Sequence, residues 1–105
     1  MNDVINLSAP DFSDKIINDN SAVIIDVRTP QEFNDGHIPN SLLIDIYNPT
    51  FSEKIAKLDK EKKYYIYCRS GNRSYHAGVF MLEQGFTNIH HLEEGIISWT
   101  DKLEK

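Results

Sequence analysis

Residues 64–85 read YYIYCRSGNRSYHAGVFMLEQG, and this stretch decides the fold. Tyr64 to Tyr67 form a short apolar and aromatic run with the length and composition of a buried strand. The polar residues RSGNR follow Cys68, and beyond them Tyr75, Val79 and Leu82 recur every three or four positions, which predicts a helix ending near Gly85. A strand that passes through a tight polar loop into a helix is part of a crossover unit, and the flanking sequence repeats the alternation. Val4 to Leu7 reads as a strand, and Ser8 with Asp11 starts a capped helix carrying Phe12, Ile16 and Ile17. Ala22 to Val27 is a β-branched run suited to a sheet covered on both faces. Thr29, Pro30 and Glu32 form a helix-start signature, with Gly36 ending that helix. Ser41 to Asp45 reads as a strand, Phe51, Ile55 and Leu58 as a helix, Ile89 to Leu92 as a fifth strand, and Ile96 to Leu103 as a closing helix.

The expected architecture is an α/β fold, a five-stranded mostly parallel sheet flanked by helices on both faces, in a single domain over residues 1–105. Ligands of such sheets sit at the carboxyl ends of the strands, and Cys68 directly follows the fourth strand.

Composition narrows the function. With 40% hydrophobic and 26% charged residues the chain is too apolar for a disordered one. A net charge of −5 argues against a surface that collects phosphates, so no nucleic acid partner is expected. No apolar run approaches the roughly 18 residues that cross a bilayer, so no membrane partner is expected either. The opening MNDVINLSAP has no secretory features, which makes cytoplasmic localisation the expectation. The single cysteine excludes an internal disulfide and a cysteine-cluster metal site.

The residues after that cysteine are Arg69, Ser70, Gly71, Asn72, Arg73 and Ser74, all polar or tiny. They make a poor core but a good curled loop whose backbone N–H groups point inward as an anion nest. Gly71 accepts a left-handed conformation and Asn72 tolerates one. The helix beginning near Ser74 adds unpaired N–H groups and the positive end of its dipole, and both arginines add charge. The loop therefore predicts a nucleophilic Cys68 and an anionic ligand held by residues 69–74.

Three sets of motifs carry a family resemblance. Asp26, Val27 and Arg28 are followed by Glu32, Phe33, Gly36, His37, Ile38 and Pro39; then come the loop Cys68 to Ser74 and the late residues Leu92, Gly95 and Trp99. In order and spacing these resemble a single-domain rhodanese, over nearly the whole chain. The resemblance implies a five-stranded parallel sheet, a cysteine that carries sulfane sulfur as a persulfide, and an Asp26–Arg28 pair that organises buried loops. Asn40 and Ser41 stand where the family has Gly and Ala, and Glu94 stands in place of the first glycine of the late pair.

Other readings compete for the same residues. His90 and His91 are strand neighbours that point to opposite faces, so with His76 they make no metal site, and none is expected. His37 reads as a turn residue, Trp99 as a core anchor, and Tyr64, Tyr65 and Tyr67 as strand residues. Cysteine phosphatases also seat a thiolate and an arginine in a nest, but with five intervening residues and usually a preceding histidine. Here four residues separate Cys68 from Arg73, and Tyr67 precedes the cysteine. A non-catalytic interaction module is the less economical reading, because the chain keeps Cys68, Gly71 and both arginines. The sequence thus predicts a thiosulfate or persulfide sulfurtransferase that needs no cofactor. Its partners would be a small anionic or persulfidic donor and a thiol, cyanide or protein acceptor.

Overall fold

The computed structural model describes residues 3–105; Met1 and Asn2, the start of the expected domain, lie outside the described residues. Strands β1 (Ile5–Leu7), β2 (Val23–Asp26), β3 (Ser41–Leu43), β4 (Tyr64–Tyr67) and β5 (Ile89–Leu92) form one sheet in the order β1-β5-β4-β2-β3. Every pairing in it is parallel. Helices α1 (Ala9–Asn18), α2 (Pro30–Asp35), α3 (Phe51–Ala56) and α4 (Asn72–Glu83) supply the crossovers.

The period-two geometry of β4 shows how the layers are made. All four of its residues are buried, with Tyr64, Ile66 and then Cys68 on one face and Tyr65 and Tyr67 on the other. The first face packs against Phe51 and Ile55 of α3 and Ala77 and Met81 of α4. The second packs against Phe12 of α1, which has no solvent exposure and meets Tyr65 and Trp99 edge-on, with ring centroids 5.8 and 5.9 Å away. Burying one such aromatic side chain contributes roughly 1.5–3 kcal/mol, so Phe12 fixes the position of α1 on the sheet.

Helix starts follow the sequence closely. Ser8 Oγ accepts from the Asp11 amide, and Thr29 and Glu32 form a reciprocal capping box with Pro30 in the first turn of α2.

The helix expected to end near Gly85 forms as α4, packing by a face that the apolar spacing did not single out, and the closing helix needs correction. The buried face of α4 is Ser74, Ala77, Gly78 and Met81, whereas Tyr75 is exposed and Val79 and Leu82 are only partly buried. Close approach to the sheet selects the small side: a Cβ on Gly78 would sit 2.9 Å from Val4. The closing helix Ile96–Leu103 is replaced by a single 3-10 turn at Ile96–Ser98, after which the chain extends from Trp99. The tail then exchanges two backbone hydrogen bonds of 2.8 Å between His37 and Glu104, an antiparallel bridge that local helical spacing does not reveal.

Asn40 adopts φ +68°, a left-handed conformation that asparagine tolerates where the family has glycine. Ser41 Oγ lies 3.1 Å from the Tyr67 hydroxyl, which also accepts from the Ile38 amide at 3.0 Å. The departures at 40 and 41 are thus absorbed in the turn before β3 and at its first residue.

Candidate active site

Parallel strands end on one side of the sheet, and the loop from Cys68 to Gly71 lies there, between β4 and α4. Cys68 is 1% exposed. Its sulfur accepts hydrogen bonds from two backbone amides, Gly71 N–H at 3.1 Å and Ser74 N–H at 3.3 Å, and its Sγ lies 3.5 Å from Ser74 Oγ. Both amides belong to the start of α4, whose dipole places its positive end on the sulfur. Two amides and the positive end of a helix dipole thus converge on this one sulfur.

The loop's curvature is set by two glycines. Gly71 has φ +103°, and a Cβ there would fall 1.9 Å from the Glu93 carbonyl oxygen. Gly95 has φ +78°, and a Cβ would fall 2.0 Å from the Arg69 carbonyl oxygen. Backbone bonds complete the union: Ile96 N–H donates to Cys68 O at 2.9 Å and Ile97 N–H to Arg69 O at 3.3 Å. The segment after β5 therefore serves as the template on which the cysteine loop is moulded. Glu94 lies exposed in that segment.

The predicted site residues divide by direction. Gly71 and Ser74 donate to the sulfur and are buried, while Arg69, Ser70 and Asn72 are exposed. Arg73 does not reach freely toward a ligand: its guanidinium holds Glu32 through two hydrogen bonds of 2.8 and 2.9 Å. That contact lowers the Glu32 carboxyl to about 2, with the Thr29 bonds assisting against the cost of burial. Glu32 thus caps α2 and clamps the cysteine loop to it. Tyr47, exposed beside this pair, has its ring centroid 5.8 Å from the Arg73 guanidinium.

Asp26 and Arg28 are both buried and form a pair at 2.7 Å, and Arg28 also donates to the Gly36 carbonyl at 2.7 Å. The pair ties the end of β2 to the end of α2. His37 Nδ1 lies 2.9 Å from the Phe33 carbonyl and its ring stacks on Phe33 at 3.7 Å, in keeping with a turn residue. His90 faces Tyr65, stacked at 4.5 Å, whereas His91 faces Ser74 with Nδ1 3.0 Å from Oγ. The placement of His91 next to Ser74, and of Asn6 beyond it, escaped the sequence reading. So did Tyr47, since nothing local links residues so far apart. A cavity of about 500 Å³ lined in part by Ile16, Ile24, Ile38 and Trp99 shares no residue with the cysteine loop.

Among the described residues, no helix is long and apolar enough to cross a membrane. The family profile described as Rhodanese-like domain matches residues 8–102. A sulfurtransferase of Allochromatium vinosum is 30% identical over 93 residues, covering 89% of this chain and 85% of that protein. A tRNA uridine(34) hydroxylase of Hamiltonella defensa is 35% identical over 97 residues, but the chain spans only 27% of that longer protein. Among solved structures, a rhodanese-like domain protein of Staphylococcus aureus is 29% identical with a TM-score of 0.79, covering 96% of this chain and 97% of its own.

Proposed function

The chain belongs to the rhodanese-like domain family, and from that premise we propose that it moves a sulfane sulfur from thiosulfate or a small persulfide, through a persulfide on Cys68, to a thiol, cyanide or protein acceptor. The observation that carries this reading is the convergence of two backbone amides and a helix N-terminus on the sulfur of the only cysteine. Similarity to a sulfurtransferase over most of both chains supports the same reaction class.

In the first half-reaction the Cys68 thiolate attacks the outer sulfur of the donor. A sulfur–sulfur bond forms on Cys68, the donor's own bond to that sulfur breaks, and sulfite or a thiolate leaves with the electron pair. The amides of Gly71 and Ser74 stabilise negative charge on the bound sulfur throughout. In the second half-reaction an acceptor attacks the outer sulfur and Cys68 leaves as the thiolate, so the kinetics are ping-pong. Exposed Arg69 offers a cation to an anionic donor, with Ser70 and Asn72 beside it. Arg73 contributes by holding the loop against Glu32, and Asp26 with Arg28 supports the neighbouring turn. The proposal places this chemistry in the cytosol, where a lone thiol stays reduced.

Intact mass after exposure to thiosulfate or glutathione persulfide tests the reading. The wild-type protein should gain one sulfur atom that a reductant removes, and Cys68→Ser should gain none. A Cys68→Ser protein with native circular dichroism and undiminished thiosulfate:cyanide activity would refute it.

A further inference from the structure

A buried hydrogen-bonded chain leads from the cysteine to the edge of the sheet, and the reaction above makes no use of its far end. Ser74 Oγ is 3.5 Å from Cys68 Sγ and 3.0 Å from His91 Nδ1, and His91 Nε2 is 2.8 Å from Asn6 Oδ1. Cys68, Ser74 and His91 are buried, at 1%, 0% and 3% exposure, while Asn6 is exposed on the edge strand β1. An amide oxygen only accepts, so with Asn6 Oδ1 facing the ring the proton sits on Nε2 and Nδ1 offers a lone pair to Ser74.

Among the described residues the groups packed on the ring are uncharged, while the Cys68 sulfur at the other end of the chain lies within Coulombic reach of Arg73. Asn6 of β1 and Ile66 of β4 flank His91 in the sheet, and Ser74 and Tyr75 of α4 cover it, with the Tyr75 ring centroid 5.8 Å away. The titratable groups facing it are the Cys68 thiol, through Ser74, and the Tyr75 phenol. Burial alone pushes the imidazole's pKa down.

This chain has two proton arrangements in which every side-chain group is bonded. In one, the Cys68 thiol donates to Ser74 Oγ and the Ser74 hydroxyl donates to a neutral His91. In the other, the thiolate accepts from the Ser74 hydroxyl, whose oxygen accepts from Nδ1–H of an imidazolium. They differ by one proton passed along the chain: the S–H bond breaks leaving its pair on sulfur, Ser74 exchanges its proton, and an N–H bond forms at Nδ1. A thiolate beside a neutral ring leaves either Sγ or Nδ1 short of the serine's donor. The Gly71 carbonyl, 3.2 Å from Ser74 Oγ, can take that donor from both.

We propose that His91 is a positioning residue for Cys68, accepting the thiol proton through Ser74 and, held in one tautomer by Asn6, setting the pH range over which the sulfur is a thiolate. This inference rests on reading Cys68 as the sulfur-carrying nucleophile.

Cys68 is the sole cysteine, so its alkylation by iodoacetamide, followed by intact mass across pH, reports the thiolate without any sulfur donor. His91→Asn keeps an acceptor for Ser74 but no titratable nitrogen, and its alkylation midpoint should rise by about half a unit or more, roughly threefold slower reaction below the midpoint. Asn6→Asp puts a carboxylate on Nε2–H, makes the ring more basic and should move the midpoint down. Asn6 is exposed, so this second variant tests the proposal without opening the core. A midpoint for Asn6→Asp that matches or exceeds the wild-type value, or one for folded His91→Asn that fails to rise, overturns the proposal. A histidine that only fills space would change the melting temperature and leave both midpoints in place, which also overturns it. Midpoints that move as expected in a protein that never gains sulfur would instead overturn the sulfur-transfer reading and leave the His91 coupling standing.

Discussion

Replacing Glu32 by Gln and Arg73 by Ala, singly and together, should reveal a coupling of about 1–2 kcal/mol in the specificity constant for an anionic donor. The magnitude follows from the geometry. Two hydrogen bonds of 2.8 and 2.9 Å join charged groups, and bonds of that kind contribute about 1.5–3 kcal/mol when dry. Side-chain exposures of 18% and 28% admit solvent screening and reduce that value. Arg73→Ala alone strands an ionised carboxylate at the mouth of the loop, where it repels thiosulfate. Glu32→Gln keeps the cap on Thr29 and frees Arg73 to face the donor, so its KM for thiosulfate should fall. The double variant should recover part of the Arg73→Ala loss, a factor of roughly five to thirty for the coupling above. Steady-state thiosulfate:cyanide kinetics supply the cycle, and the alkylation rate with neutral iodoacetamide supplies the control. Effects that add to within about 0.5 kcal/mol would refute the clamp, and equal losses toward thiosulfate and iodoacetamide would show a collapsed loop instead.

Gly95→Ala should abolish sulfur loading while leaving most of the far-ultraviolet circular dichroism, because its Cβ meets the Arg69 carbonyl at 2.0 Å and must push the cysteine loop aside; full loading would contradict the template role of the segment after β5. The wild-type protein should show negligible hydrolysis of aryl phosphates, and a glycine inserted after Gly71 should weaken sulfur transfer while improving vanadate binding. Tighter vanadate binding before the insertion than after it would reverse the ranking of sulfur over phosphate. Stability should fall in two stages on acidification. His90 has a depressed folded pKa, so its contribution is present above the unfolded value near 6.5 and is lost as pH falls through the folded one. Glu32, at about 2 when folded against 4.5 ordinarily, contributes above pH 4.5 and loses about 1–2 kcal/mol toward pH 2. Urea midpoints that stay constant from pH 7 to pH 3 would exclude both terms.

The parts of this fold that were legible in sequence are those encoded by neighbours in the chain. Tyr64–Tyr67 falls where its apolar and aromatic run places it, since a central parallel strand buries both faces and leaves no alternation to misread. Thr29, Pro30 and Glu32 announced α2 because a capping box is complete within four residues. Where contacts span the chain, local pattern misled. Ile96, Trp99 and Leu103 mimic helical spacing, but the bridge from Glu104 to His37 wins the tail for an extended path. Glu32 reaches Arg73 across 41 positions and His91 reaches Asn6 across 85, so the clamp and the histidine chain have no sequence signature. On α4, polarity concealed the packing face because Ser74, Ala77 and Gly78 are buried for their size.

The cradle for the sulfur is written in main chain and in glycines, one of which lies outside the loop, whereas Arg69, Ser70 and Asn72 stand outside it in solvent. On the function proposed above, shape and recognition are encoded by separate positions. A combinatorial library at 69, 70 and 72 would vary charge and bulk at these exposed positions while the amides of Gly71 and Ser74 keep their aim, so on the proposed function this scaffold would diversify its clientele without rebuilding the cradle of the sulfur.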